Sequence, residues 1–158
     1  MTVPNATLEH LYEVFASHEF DGKGFCSYCY LDEEMKAIAA TPVRSLSGDM
    51  AWGLLIECAD HWPGADAYRR YLPRLLELMD SPSNLEDAYP THLSETLLNL
   101  GFHSWPEIEQ TGVLRYLEYL GPRIYPDRSG RDWQEWEGGM HDLLQPEGEN
   151  SVSSREHR

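Results

Sequence analysis

Apolar residues in this chain recur every three to four positions, the period of an α-helix with one buried face. The clearest run is Tyr68 to Met79. Tyr68, Tyr71, Leu72, Leu75, Leu76 and Met79 fall at i, i+3, i+4, i+7, i+8 and i+11, while Arg69, Arg70, Arg74 and Glu77 lie off that stripe. This segment is the expected centre of the core. Pro73 lies inside it, lacks an N–H and crowds the preceding turn, so a kink or break is expected there.

The same spacing predicts the other helices. A first helix starts near Asn5 or Thr7, presents Leu8, Leu11, Tyr12 and Phe15, and ends near His18. A second opens with Asp32, Glu33 and Glu34, where acidic groups suit the helix dipole, and stops at Thr41-Pro42. A third, about Gly48 to Asp60, is capped by Ser47 and precedes a Trp62-Pro63-Gly64 turn. The central helix follows, from about Asp66 to Met79, and residues 85–89 suit one short turn. A fifth helix runs from about Thr91 to Leu100 and ends at Gly101. Ser104-Trp105-Pro106-Glu107 has capping-box spacing and opens a sixth, which Gly121-Pro122 should stop near Leu120. Trp133, Trp136, Met140, Leu143 and Leu144 have helical spacing, weakened by Gly138-Gly139. No stretch alternates as a half-buried strand does. The fold class expected is all-α with about seven helices, one domain over residues 1–145 and a disordered polar tail over 146–158.

An internal repeat refines this picture. LLIECADHWP at 54–63 aligns without gaps on LLNLGFHSWP at 97–106, and Arg70-Tyr71-Leu72 echoes Arg115-Tyr116-Leu117 after a short slip. The period, about 43 to 45 residues, suits HEAT-like helical hairpins stacked on one another. An irregular helical bundle is the alternative.

Charge narrows the partners. The 158 residues carry 27 acidic against 12 basic side chains, a formal net charge of −15. That balance disfavours nucleic acid and anionic lipid and favours a basic protein partner. No membrane-length apolar run and no signal-peptide pattern occurs, so a cytoplasmic protein is expected, as a monomer or small homo-oligomer. Three cysteines are too few for a secreted disulfide scaffold.

One motif carries metal chemistry. Cys26-x-x-Cys29 has the spacing that brings two thiolates to one zinc ion. Cys58 and His61, at i and i+3 near a helix end, would complete a Cys₃His set. Two other readings stay open, a redox dithiol and ordinary reduced thiols in an aromatic loop. His92-x-x-Glu95 has the spacing of a di-iron half-site, without a second copy elsewhere. No phosphate loop, nucleophile elbow or zincin motif is present, so no catalytic residue is assigned. Candidate partner contacts are Trp133 and Trp136 with Glu135 and Glu137, and the basic cluster Arg69, Arg70 and Arg74; the alternatives are a Trp pair that closes the end of the helical stack and arginines paired locally with Asp66 and Glu77.

The Cys26-x-x-Cys29 loop followed by Tyr71-Leu72-Pro73-Arg74-Leu75-Leu76-Glu77-Leu78 resembles a group of small bacterial helical proteins, over roughly residues 8–80. That resemblance implies no catalytic residue and no cofactor. Small size, acidity and helix content are also similar in general character to immunity proteins that neutralise toxins. The expected function is therefore non-enzymatic binding of a basic partner, of which a toxin held by its immunity protein is the concrete case. A zinc-stabilised enzyme or regulatory domain is the first alternative, and a structural subunit of a larger assembly the second.

Overall fold

The structure, a computed structural model, describes residues 3–80 and 90–145. Among them are seven α-helices and no strand: α1 (Val3–Phe15), α2 (Asp32–Ala40), α3 (Gly48–Trp52), α4 (Ala65–Met79), α5 (Pro90–Asn99), α6 (Glu107–Ile124) and α7 (Arg131–Leu144). The protein is all-α, as the periodicity predicts. The turn expected at 85–89 and the tail from 146 lie outside the described residues. The chain forms two compact units, Met1–Ala88 and Tyr89–Arg158.

In the first unit α4 is the hub. It packs against α1, α3 and the 3₁₀ turn Val43–Ser45. Tyr68, Tyr71, Leu72, Leu75 and Leu76 have no exposed surface, so the stripe read from the sequence is the core itself. Pro73 neither ends nor divides α4. Its ring is buried, and the missing N–H removes one bond, to the Arg69 carbonyl, within a helix held by burial on both sides of that point. Tyr12 on α1 donates to the Glu77 carboxylate, and Arg74 bonds the same carboxylate at 3.1 Å and the Leu46 carbonyl at 2.9 Å.

The helix expected over 48–60 is instead three short pieces. Ser47 caps α3 by accepting from the Met50 amide at 3.2 Å. The chain then widens into a π turn, Gly53–Glu57, closed by the Cys58 amide on the Gly53 carbonyl at 2.9 Å. A 3₁₀ turn, Ala59–His61, follows and ends at Trp62. In an α-helix the Leu54 carbonyl would accept from Cys58. Here it accepts from the Trp62 indole at 2.8 Å, and the Leu55 carbonyl from the Tyr68 hydroxyl at 2.8 Å. Side chains thus satisfy the buried carbonyls that the wider turn releases.

In the second unit α7 packs against both α5 and α6. Leu93, Leu97, Phe102, Val113, Leu117 and Leu120 form its buried interior. Two expectations are corrected here. Ser104 does not cap α6. Its hydroxyl donates to the Gly101 carbonyl at 2.7 Å, and Pro106 stands at the cap position. Nor does Gly121-Pro122 stop α6, which continues to Ile124. The Tyr125 amide closes on the Gly121 carbonyl at 2.8 Å, and the Trp136 indole packs where a Gly121 side chain would be. The Gly138-Gly139 pair likewise leaves α7 continuous.

One copy of the repeat lies in each unit, and the two Trp-Pro corners share a local design. Each follows a 3₁₀ turn, each Trp is extended (φ −75°, ψ 149° at Trp62; φ −70°, ψ 158° at Trp105), and each is buried. Both indoles donate back to the preceding helical segment, Trp62 to Leu54 and Trp105 to the Leu100 carbonyl at 3.1 Å. The acceptors are not repeat equivalents, because the π turn exists only in the first copy.

Candidate metal centre

The loop 20–30 is built around the Trp62-Pro63 corner. Phe20 and Phe25 meet the Trp62 ring edge-on, with centroids 5.2 and 5.1 Å away, and Phe25 also meets Tyr30 at 5.7 Å. Two glycines let the backbone turn tightly enough to arrive there. Gly22 has φ +81° and lies against the backbone of Met35 and Lys36, and Gly24 has φ +84° with Pro63 pressed on its face. The Cys26 amide then donates to the His61 carbonyl at 3.2 Å, which pins the loop to the 3₁₀ turn. The Cys29 amide closes on the Cys26 carbonyl at 3.3 Å, giving the tight turn that aims both sulfurs one way.

The second pair comes from the opposite wall. Cys58 ends the π turn, and the His61 amide bonds the Cys58 carbonyl at 3.0 Å, so one 3₁₀ turn carries both side chains. The structure brings the two halves together across about thirty residues of sequence. The donor atoms of Cys26, Cys29 and His61 all lie within 4.8 Å of one another, and Cys29 Sγ is 3.2 Å from His61 Nδ1. Cys58 meets Cys29 through a thiol contact and lies outside that mutual group of three. All three cysteines are free and half-buried, and His61 is exposed.

The thiols differ in acidity. The His61 ring, helped by the Tyr28 amide and the Cys29 thiol, lowers Cys26 to about 7. Desolvation pushes Cys29 up to about 12, with Cys58 and Cys26 adding to the effect. The phenol of Tyr30 is also raised, first by desolvation and then by Cys58 and Glu57. Its hydroxyl rests where a Gly53 side chain would stand, at 2.5 Å from an ideal Cβ. Gly53 therefore admits Tyr30 beside the start of the π turn.

Tetrahedral zinc bonds sulfur at about 2.3 Å and imidazole at about 2.0–2.1 Å, which puts neighbouring donors roughly 3.3–3.8 Å apart. The 3.2 Å between Cys29 Sγ and His61 Nδ1 is close to that scale, and Cys58, in contact with Cys29, is the candidate fourth ligand. Three thiols and an imidazole are the soft and borderline donors that zinc takes.

The other predicted site residues do not join this cluster. Arg69 pairs with Asp66, Arg74 with Glu77, and Arg70 donates to the His18 carbonyl at 3.2 Å. The basic cluster is thus engaged locally rather than gathered as an anion site. Trp136 is 5% exposed and packs on α6, so it belongs to the core and is withdrawn as a partner contact. Trp133 is half-buried with Arg128 over its ring, Glu135 pairs with Arg131 at 3.0 Å, and Glu137 is exposed. The His92 side chain, and with it the His92-x-x-Glu95 pair, lies outside the described residues. Sequence reasoning missed Tyr30, Gly53 and Gly24. Only the glycines of DGKGF signalled the turn that the site needs. No family model, no curated protein and no solved structure matches this chain.

Proposed function

We propose that the protein is a zinc-stapled helical domain that works by binding a partner rather than by catalysis. The observation that carries this reading is the convergence of the Cys26, Cys29 and His61 donors within 4.8 Å, with Cys58 meeting Cys29. A Cys₃His set fills all four positions of zinc and leaves none for water, which is the mark of a structural centre. The ion would tie the 20–30 loop to the end of the π turn, two segments otherwise joined by one backbone hydrogen bond and the aromatic cluster. The acidity of the chain supports a basic protein as the partner, with a toxin neutralised by its immunity protein as the concrete case.

Metal analysis of protein purified under reducing conditions tests the metal. The expected result is one zinc per chain, falling in Cys29→Ser and Cys58→Ser. Cobalt substitution should give the visible bands and thiolate charge transfer of tetrahedral sulfur-rich coordination. Protein that holds no stoichiometric zinc after expression in zinc-supplemented medium overturns the metal reading. The depressed Cys26 thiol supports a second reading, a metal-free dithiol, which predicts the same thiol acidities and no zinc.

A further inference from the structure

We infer that the outer face of the cysteine loop is a docking surface for a basic, apolar-tipped segment of a partner protein. The inference rests on the binding reading above and names where the partner sits. Tyr28 lies at the tip of the Cys26-x-x-Cys29 turn and is 98% exposed, and Leu31, just beyond it, is 67% exposed. They are the two large hydrophobic side chains most exposed among the described residues. Single exposed apolar residues are ordinary on a surface. Here the two stand three positions apart on a loop tied down by the Cys26–His61 and Cys29–Cys26 backbone bonds and by the aromatic cluster. An aromatic group held on a rigid support loses little entropy on binding, which is what an interface anchor requires.

The surroundings of this pair select the partner. Asp32, Glu33 and Glu34 follow Leu31 directly and are exposed, and the Glu34 carboxylate accepts from the Leu31 amide at 3.1 Å. From the other wall come Glu57, held by the Trp52 indole at 3.1 Å, and Asp60, both exposed. Against these, Lys23 and Lys36 are the basic side chains of the same segment, so the face stays acidic. An exposed apolar pair followed directly by three carboxylates, on a loop bonded to the turn that bears Asp60, complements a lysine- or arginine-rich segment that carries an apolar side chain.

The test uses the full chain, with zinc content measured on every sample. The probe is a fluorescent Lys/Arg-rich peptide bearing one leucine, followed by anisotropy. An acidic peptide of matched length serves as control. Tyr28→Ser with Leu31→Ser should weaken binding of the basic peptide by about tenfold or more, the scale of a truncated anchor. Glu57→Gln with Asp60→Asn should weaken it further at low salt, whereas Glu13→Gln on α1 should leave it unchanged. Equal affinity for wild type and the Tyr28/Leu31 variant overturns the inference, because binding would then follow net charge alone. So does equal loss in Glu13→Gln. Loss of peptide binding in the Tyr28/Leu31 variant with zinc retained points to the surface, and the same difference between wild type and variant in zinc-free protein supports docking while overturning the metal reading.

Discussion

The Trp62 indole donates to the Leu54 carbonyl at 2.8 Å, across the turn where the helix widens by one residue. That bond links the backbone irregularity to the site. The π turn carries Cys58 away from the register an α-helix would give it, and Trp62 takes up the carbonyl left behind while supporting Phe20 and Phe25 under the cysteine loop. Trp62→Phe keeps an aromatic ring at the corner and removes the donor. The expected cost is about 1–3 kcal/mol, the penalty of a buried acceptor left unsatisfied. Trp105→Phe should cost less, about 1 kcal/mol, because the Leu100 end of that bond is half-buried and water can replace the indole. Urea unfolding followed by circular dichroism compares the two, and equal losses would remove the special role given to Trp62.

The cysteines should titrate apart. In metal-free protein Cys26 should alkylate with a pH midpoint of about 7, while Cys29, pushed up to about 12, should react slowly at neutral pH. The stability signs are opposite. The Cys26 thiol is depressed on folding, so its contribution is complete above the unfolded value of about 8.5 and is lost as pH falls through about 7. Cys29 is raised, so its contribution holds below the unfolded value and is lost as pH climbs towards about 12. Mass spectrometry of iodoacetamide-labelled peptides across pH reads both. Zinc binding should abolish the difference by protecting all three thiols.

Gly24 and Gly64 flank the same corner and should respond differently. At Gly24, φ is +84° and an added Cβ would lie 2.8 Å from Pro63 Cβ. Gly24→Ala is expected to cost about 1–2 kcal/mol from the backbone conformation alone, and to release zinc at lower chelator concentration by shifting Cys26. Gly64 is extended and has nothing within 4 Å of an added Cβ, so Gly64→Ala should stay within about 0.5 kcal/mol of wild type. Thermal melts with and without chelator distinguish these outcomes.

Much of this arrangement is legible in the amino-acid sequence. The stripe from Tyr68 to Met79 predicts its own burial, since period and polarity agree at every position. The Cys-x-x-Cys spacing and the Cys58–His61 pair announce two half-sites, because each needs only local geometry. That the halves meet depends on a corner whose aromatic packing no periodicity encodes. The π turn was also hidden. Its signal is a hydrogen bond displaced by one residue, which leaves the apolar pattern of Leu54 and Leu55 unchanged. Proline and glycine misled at α6, because local breaker rules assume a solvated helix. There Trp136 fills the face of Gly121 and tertiary packing outweighs the lost amide of Pro122.

Gly138 and Gly139 offer the cleanest case of adjacent residues with opposite roles. Both lie inside α7, where glycine is about 0.5–1 kcal/mol worse than alanine. Gly138 has nothing within 4 Å of an added Cβ, so Gly138→Ala should stabilise the second unit by about that amount. At Gly139 an added Cβ would stand 2.6 Å from Ser94 Oγ and 3.1 Å from Ser94 Cβ, on the facing helix α5. The close approach of α5 and α7 requires that empty position. Gly139→Ala must therefore turn Ser94 Oγ away and displace its Cβ by a few tenths of an ångström, and the expected net loss is about 1 kcal/mol despite the better helix propensity. Hydrogen exchange of the α5 and α7 amides gives the sign at each position. Stabilisation by both substitutions would show that the two helices are not held at this distance, and the double variant Gly139→Ala with Ser94→Ala should recover part of the loss if they are.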